Sequence, residues 1–299
     1  MSTLRKRLAR AWKVVLNDLP PPRIIESPPP DPRDSLRYIY LGPDLGLTSL
    51  LSGNMMFVDP QDEQISVPII RDGTWEQWLL QVVLSLVKPG DHVVEVGANI
   101  GFYTVAMARQ IGPTGKLTTF EANARLAGLV RRSLNLNAVL DRCTIVNKAA
   151  WDSLGELEFV TSRRFSGGGY VKADFDDLHE DSVRTVVQTA AIDDVVDGRV
   201  DFMRLDAEGS EPFILRGAID VLTRNPDIII CMEWCVEQMG SRVDLSEFVA
   251  WLYGLGFMSW FVELDASLTP LSEEELARCP TGDVVLSRRP LKTVQSPSY

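Results

Sequence analysis

The strongest constraint on the fold of this chain is an alternation of apolar runs and helical patterns that begins at Asp91. Each run is short and almost entirely apolar, as expected for a strand buried on both faces of a sheet. Strands separated by helices pair in parallel, and the helices cover both faces of the sheet. Seven strands are predicted, at His92–Val96, Lys116–Glu121, Thr144–Lys148, Val200–Leu205, Asp227–Glu233, Phe257–Glu263 and Asp283–Ser287. The expected fold is a Rossmann-like α/β domain with a mostly parallel sheet.

The predicted core spans residues 89–290 and is followed by a tail, residues 291–299. Four helices are expected between its strands, at Phe102–Gln110, Ala124–Asn137, Phe213–Leu222 and Asp244–Gly254. Asn123 and Asp244 stand where the side chain of a helix N-cap residue is expected.

Residues 36–88 are expected to form a cover segment rather than an independent domain. Two apolar runs, Met55–Val58 and Ile65–Ile70, flank a polar turn and predict a β-hairpin. Thr74–Gln77 has the pattern of a capping box that opens a helix. The sequence thus predicts an N-terminal helical and β-hairpin extension of the core.

Residues 1–35 are predicted to form a basic amphipathic helix followed by a linker. The first thirteen residues hold five basic and no acidic side chains, and seven of the eighteen prolines fall between Pro20 and Pro32. A proline tract cannot build a packed core, so it is expected to be extended. The helix over residues 1–19 fits an anionic membrane surface, but its narrow apolar face favours a site on its own domain or on a partner subunit.

Composition excludes several classes of protein. The formal net charge is −11, which disfavours nucleic acid as a substrate. The sequence lacks a run of roughly 20 apolar residues, the length of a membrane span. Four scattered cysteines and two histidines suit neither a disulfide framework nor a zinc site. We expect a cytoplasmic protein, with peripheral contact at the inner membrane face if the first helix binds lipid.

The loop after the first core strand is the most informative segment for function. Glu95-Val96-Gly97-Ala98-Asn99-Ile100-Gly101 joins a buried strand to a helix, and its two glycines permit a tight turn and close approach of a ligand. The helix start is expected to offer unpaired N–H groups to an anion or a carboxylate. A dinucleotide fingerprint requires a second glycine where Asn99 stands, so a phosphate-free ligand such as S-adenosylmethionine fits better than NAD.

Glu121 ends the second predicted strand, 20 residues after Gly101. An acid near this position reads the ribose diol of a nucleoside ligand in this topology. A carboxylate can accept hydrogen bonds from both hydroxyl groups, so Glu121 is a candidate ribose ligand.

Several segments resemble the FkbM-type methyltransferases, over roughly Asp59 to Val236. They are Gly73–Glu76, Gly90–Thr104, Phe120–Asn123, Val200–Glu211 with Leu215–Ala218, and Pro226–Glu233. The resemblance implies a seven-stranded class I methyltransferase sheet, S-adenosylmethionine as donor, and O-methylation, often of a sugar or natural-product hydroxyl. It also implies that Glu76 closes over the donor. Arg204 and Ala207 depart from the Lys and Val that are usual in the family.

Three acids follow the fourth and fifth strands and are candidates for the chemistry. An alcohol acceptor must lose a proton during methyl transfer, and Asp206 or Glu208 is expected to handle the cofactor amino group or the acceptor hydroxyl, with Glu233 beside them. The same carboxylates, Asp206 and Glu233 above all, could instead hold Mg²⁺, although no Mg²⁺ is expected.

Two further segments are weaker candidates for ligand contact. Asp152 follows the third strand, where adenine is expected, and could bond the adenine amino group. Phe165–Tyr170 is a glycine-rich stretch between aromatic residues, and it fits a substrate-facing lid or a plain hairpin connection equally well.

The sequence therefore predicts a methyltransferase that uses S-adenosylmethionine, with a small molecule or glycan as acceptor. Two alternatives stay open: an NAD-dependent oxidoreductase on a similar sheet, and a catalytically silent S-adenosylmethionine-binding adaptor.

Overall fold

The computed structural model describes residues 37–171 and 182–291. The predicted basic helix and linker, residues 1–35, and the tail beyond Leu291 lie outside the described residues. Of the helices that are described, none has the length and apolar character needed to cross a membrane.

The cover segment begins with a small antiparallel sheet, β1 (Tyr38–Gly42), β2 (Leu45–Ser49) and β3 (Met55–Val58). Helices α1 (Ser66–Asp72) and α2 (Gln77–Leu86) follow. The predicted hairpin of Met55–Val58 with Ile65–Ile70 is wrong, because β3 pairs with β2 and the second run is mostly helical. Ile69 faces the core from that helix, and a short apolar run alone does not distinguish a strand from a buried helix.

The first half of the core follows the predicted order. Its elements are β4 (His92–Val96), α3 (Phe102–Gln110), β5 (Lys116–Phe120), α4 (Ala124–Leu136) and β6 (Cys143–Val146). Asn123 caps α4, since its side chain accepts hydrogen bonds from the backbone N–H groups of Arg125 and Leu126, as predicted.

A second small sheet, not predicted from the sequence, is inserted after β6. It consists of β7 (Ala149–Ala150), β8 (Gly155–Thr161), β9 (Tyr170–Val171) and β10 (Val183–Ala190), in the order β7-β10-β8-β9. β8 and β10 form its main antiparallel pair and are largely exposed.

The second half of the core completes the main sheet. Its elements are α5 (Ile192–Val195), β11 (Phe202–Leu205), α6 (Glu211–Arg216), α7 (Ile219–Arg224), β12 (Ile229–Trp234), α8 (Val236–Gly240), α9 (Leu245–Gly254), β13 (Met258–Val262), β14 (Leu268–Leu271), α10 (Glu273–Leu276) and β15 (Gly282–Ser287).

The main sheet has the strand order β14-β13-β15-β12-β11-β4-β5-β6. The five strands from β12 to β6 are mutually parallel, whereas β15 runs antiparallel to both of its neighbours. This confirms the predicted α/β fold with a mostly parallel sheet. Apolar clusters pack on both faces, with Val93 on one side and Val94 on the other.

Two details differ from the sequence prediction. The main sheet has eight strands rather than seven, because the edge strand β14 was not predicted. Pro270 lies within it, and proline in a strand is confined to edges and weakens the sequence signal. The predicted helix over Phe213–Leu222 is two short helices, α6 and α7, separated at Gly217.

Candidate functional site

A cavity lies at the carboxyl edge of the main sheet, over the ends of β5, β4, β11 and β12. It contains about 1010 Å³ of space not filled by protein, part of which is open to solvent. The carboxyl ends of parallel strands are where open α/β sheets bind ligands. Predicted site residues that line the cavity are Glu76, Gly97, Ala98, Asn99, Glu121, Asp206, Glu208 and Glu233.

Gly97 and Gly101 shape the loop between β4 and α3, as predicted. Both have left-handed backbone, with φ of 82° and 94°. A Cβ atom at Gly97 would lie 1.9 Å from the carbonyl oxygen of Asp206, and one at Gly101 would lie 3.2 Å from Val130 Cγ2. Only glycine at position 97 lets the ends of β4 and β11 approach this closely.

The N–H groups of the loop itself, before helix α3 begins at Phe102, are all hydrogen-bonded within the protein. The N–H groups of Gly97 and Ala98 donate to the carbonyl of Phe120, and that of Gly101 donates to the carbonyl of Ala98. Asn99 N–H donates to Glu121 Oε2 at 2.7 Å, and Ile100 N–H donates to the Asn99 side chain at 2.7 Å. From position 97 to position 101 every N–H is already used, so the loop has no amide nest for a phosphate.

Glu121 lies where the sequence placed the ribose ligand, at the end of β5. Its two carboxylate oxygens accept the N–H groups of Asn99 and Asn123, at 2.7 and 2.8 Å. Each oxygen keeps a second lone pair that can accept a hydroxyl proton. Burial raises the pKa of Glu121 to about 7, against the two backbone hydrogen bonds that lower it.

The opposite end of the cavity holds three carboxylates. One oxygen each from Asp206, Glu208 and Glu233 lies within 4.8 Å of the other two. Burial raises the pKa of Glu208 and of Glu233, and the charge of Asp206 raises both further. Like charges this close cannot all be ionised in a low-dielectric site, so at least one proton or cation is shared among them.

Residues 95–258, more than half of the 299-residue chain, match the family model described as the Methyltransferase FkbM domain. The chain belongs to this family. The resemblance found in the sequence is confirmed, and with it the class I methyltransferase fold and membership of a methyltransferase family.

Three of the solved structures similar to this FkbM-family protein are described as methyltransferases. An FkbM methyltransferase from Methylobacillus flagellatus KT is 18% identical, with 48% of this chain and 33% of that chain covered and a TM-score of 0.35. An O-methyltransferase from Bacillus cereus in complex with SAH is 15% identical (71% and 78% covered, TM-score 0.39). A SAM-dependent methyltransferase from Aquifex aeolicus is also 15% identical (71% and 90% covered, TM-score 0.41).

A buried cation lies in the cavity wall of this FkbM-family protein. Arg204 donates from its guanidinium to Asp206 Oδ2 at 2.8 Å, and its Cζ lies 3.8 Å from the centre of the Tyr103 ring. The Tyr103 hydroxyl in turn donates to Glu76 at 3.0 Å. Arg204 thus fixes Asp206 at the edge of the carboxylate cluster and supports the aromatic wall beside it.

Glu76 corrects the prediction of a capping box at Thr74–Gln77. Helix α2 begins at Gln77, and Glu76 at its N-cap has φ of 37° and makes no side-chain cap hydrogen bond. The carboxylate lies in the cavity instead, where burial raises its pKa. Tertiary contact with Tyr103 overrides the local capping preference.

Backbone strain concentrates around the cavity. Of five described non-glycine residues with positive φ, three line it: Glu76 at 37°, Asn99 at 51° and Glu208 at 52°. Left-handed backbone is costly for such residues and persists where the surrounding structure imposes it, often at functional sites.

Three predicted cofactor residues do not line the cavity: Gly101, which shapes the loop, and the two acids Glu95 and Asp152. Glu95 is fully buried behind the loop, where Thr104 and Thr119 donate to its Oε2 at 2.6 and 2.8 Å. Asp152 is exposed and bonded to Ser153. Neither position supports the direct ligand contact that the sequence predicted, because β4 points Glu95 into the core and Asp152 lies on the outer surface.

The glycine-rich stretch between Phe165 and Tyr170 forms part of the cavity wall. Ser166 is buried, and its hydroxyl donates to Asp62 Oδ2 at 2.8 Å and lies 3.2 Å from Asn99 Oδ1. It therefore joins the cover segment to the cofactor loop.

Three side chains of the site were not predicted from the sequence. Tyr103 reads as a core residue of α3, Asp283 as the first residue of a strand, and Gln238 as an unremarkable helix position. Asp283 pairs with Glu233 across β15 and β12, and burial raises its pKa to about 7, with Glu76 adding to the effect. Only its acidic character at the start of a predicted strand could have signalled it.

Proposed function

We propose that this protein transfers a methyl group from S-adenosylmethionine to a hydroxyl group of a sugar, a glycolipid or polysaccharide, or a natural product. One observation carries the proposal: a single cavity joins the diol-accepting carboxylate Glu121 to the carboxylate cluster Asp206, Glu208 and Glu233. Glu121 follows β5, and Glu233 lies on β12. Three strand spacings of about 4.8 Å separate β5 from β12, so the two ends of the cavity are roughly 14 Å apart.

Hydrogen bonding in the loop supports a cofactor without phosphate. The N–H groups of residues 97–101 all donate within the protein, so a pyrophosphate would find no free N–H donor in the loop itself. A sulfonium nucleoside needs a diol acceptor, an apolar contact and acids near its cationic groups, and this cavity supplies all three. The NAD-dependent alternative is disfavoured on the same grounds.

Roles for the acids follow from their places along the sheet edge. Glu121 at β5 accepts the ribose hydroxyls. Asp206, held by Arg204, is suited to the cofactor ammonium group at β11. Glu208 is the proposed proton acceptor for the substrate hydroxyl, because burial raises its pKa toward neutrality and makes it a stronger base. Glu233, whose pKa is raised further by the acids around it, stays protonated and relieves their repulsion.

Methyl transfer then balances without a further reactant. The acceptor oxygen forms a bond to the methyl carbon as the carbon–sulfur bond breaks and sulfur keeps the electron pair. Glu208 takes the hydroxyl proton. Since the sulfonium is already activated, most of the remaining acceleration comes from alignment within the cavity.

A divalent cation is the alternative way to neutralise the carboxylate cluster. Oxygen ligands from Asp206, Glu208 and Glu233 have the chemistry that Mg²⁺ prefers. The proposed mechanism does not need the ion, because a proton on Glu233 serves the same purpose.

The acceptor is proposed to be uncharged, and nucleic acid is not expected. Carboxylates dominate the end of the cavity beside the donor, so an anionic acceptor would be repelled there.

We further propose that residues 1–19 make peripheral contact with a membrane. Flotation of the full chain with anionic liposomes, compared with a chain starting at Asp34, tests this contact, and equal flotation would refute it.

Calorimetric titration with S-adenosylmethionine, S-adenosylhomocysteine and NAD⁺ tests the cofactor. Binding of the first two and not of NAD⁺ is expected. Incubation with donor and a panel of neutral glycans, read by mass spectrometry for the gain of one methylene per transfer, tests the reaction. Binding without transfer to any hydroxyl acceptor would favour the adaptor alternative.

A further inference from the structure

Gln238 contacts the carboxylate cluster from outside the strands that carry it. It lies on helix α8, directly after β12, and its Nε2 donates to Glu208 Oε2 at 2.7 Å. An amide that donates to a carboxylate fixes the direction in which that carboxylate faces. Among the described residues, Gln238 is the one side chain that is hydrogen-bonded to Glu208.

The backbone at Gly209 packs closely against Gln238 and holds it beside Glu208. A Cβ atom at Gly209 would lie 2.8 Å from Gln238 Cβ and 2.9 Å from its carbonyl carbon. Gly209 has φ of 86° and Glu208 has φ of 52°, so the loop adopts left-handed backbone twice in succession to bring Glu208 against Gln238. A loop that served only to connect β11 with α6 would not need this strain.

The other end of the Gln238 amide argues against a purely stabilising role. Its Oε1 is buried and has no hydrogen-bond partner among the described residues. An unpaired buried acceptor costs desolvation free energy, so an apolar side chain of similar shape would suit stability as well or better. The amide is explained by what its nitrogen does for Glu208.

We propose that Gln238 is a positioning residue, which holds the carboxylate of Glu208 in the orientation that receives the acceptor proton. The inference rests on the proposed function, in which Glu208 takes that proton as the methyl group leaves sulfur. Gln238 itself touches neither donor nor acceptor. Without its Nε2, Glu208 is free to turn toward Arg242 or solvent.

The test is a double-mutant cycle of Gln238→Met and Glu208→Gln, assayed with saturating donor and the acceptor found by the glycan panel. Gln238→Met keeps the size of the side chain and removes the donor. We expect kcat to fall roughly 10- to 100-fold, as for an ångström-scale misplacement of a reacting group. The dissociation constant for S-adenosylmethionine should stay within about 2-fold, since Gln238 is remote from Glu121.

Non-additive effects of the two substitutions on kcat distinguish a positioning role of Gln238 from a purely structural one. In the Glu208→Gln background, Gln238→Met should cause no further loss of kcat, because the group it positions is gone. Gln188→Met is the matched control: Gln188 donates to Glu156 at 2.5 Å on the exposed second sheet, and its loss should leave kcat unchanged. Gln238→Asn, too short to reach Glu208, is the second variant if Gln238→Met folds poorly.

An equal loss from Gln238→Met in both backgrounds, or full activity of Gln238→Met, would overturn the positioning role. Full activity of Glu208→Gln would remove the group being positioned and overturn it as well. Activity and donor binding of the unmodified protein report on the proposed function separately, so failure of the two ideas can be told apart.

Discussion

Substitution of Gly97 by alanine is the sharpest test of how the cofactor loop works. The new Cβ would lie 1.9 Å from the Asp206 carbonyl oxygen, whereas real Cβ atoms essentially never come closer than 3.0 Å. The loop and the end of β11 must therefore separate by at least 3.0 − 1.9 = 1.1 Å. Both atoms belong to backbone or sit next to it, so no side-chain rotation relieves the overlap.

The loss of stability follows from two contributions. Alanine with φ near 82° pays about 1–2 kcal/mol for left-handed backbone. Opening the strand ends stretches the hydrogen bond from Asp206 N–H to Val96, now 3.1 Å, which contributes about 1 kcal/mol. The free energy of unfolding should fall by about 2–3 kcal/mol. Displacing Asp206 and the loop by an ångström should weaken S-adenosylmethionine binding about 100-fold.

Gly112→Ala is the matched control. Gly112 also has positive φ, 68°, but a Cβ there would meet nothing within 4 Å. This variant carries the backbone strain without the overlap, so it should lose about 1–2 kcal/mol of stability and bind the donor normally. Urea unfolding gives the stability of each variant, and calorimetric titration gives the affinity for S-adenosylmethionine.

Comparable donor affinity in Gly97→Ala and Gly112→Ala would refute the reasoning. It would mean that the close approach of β4 to β11 at Gly97 is a packing feature with no part in holding the cofactor.

Three further predictions concern the acids that line the cavity and the buried Glu211 beside them. Glu121→Gln should weaken S-adenosylmethionine binding by about 10- to 100-fold, because it loses the charge-assisted hydrogen bonds to the ribose. Calorimetry measures the affinity, with the exposed Glu156→Gln as control. Unchanged affinity would exclude Glu121 as the ribose ligand. Burial raises the pKa of both Glu121 and Glu211 from 4.5 to about 7. Between these two pH values the folded ligand-free protein keeps protons that the unfolded chain releases. The free energy of unfolding should therefore fall as pH rises from 4.5 to 7, by about 1.4 kcal/mol per pH unit for each group. Urea unfolding across that range, repeated with Glu211→Gln, should show a shallower slope in the variant, and identical slopes would contradict the assignment. Dialysis against EDTA should leave methyl transfer unchanged, and loss of activity that Mg²⁺ restores would establish the cation at Asp206, Glu208 and Glu233 instead.

Local pattern was a good guide to the strands that lie in the middle of the main sheet. Strands β4, β5, β11 and β12 were each predicted within two residues of their ends, because burial on both faces demands continuous apolar runs. The edge strand β14 and the half-exposed strands β8 and β10 escaped notice, since partly solvated strands carry polar residues and, at Pro270, a residue that strands avoid.

The positions of candidate site residues, as distinct from their roles, could be predicted where they depend on the strand end that a residue occupies. Glu121, Asp206 and Glu233 all end or follow parallel strands, so strand order alone brings them to one edge. Glu95 and Asp152 were misplaced because the side of the backbone on which a side chain lies depends on packing around it. Glu76 was misread as part of a capping box, since the Tyr103 hydroxyl that it accepts from is distant in sequence.

The sequence by itself determined the parallel sheet, the glycine turn and the acids at its carboxyl edge, because periodicity, backbone freedom and strand order are local or topological properties. Only the tertiary structure decided that the loop amides are already bonded, that Arg204 holds Asp206 beneath an aromatic wall, and that Gln238 faces Glu208. Several of these contacts, Asn99 with Glu121, Arg204 with Tyr103 and Gln238 with Glu208, join segments far apart in the chain, and their geometry depends on how closely the strand ends pack.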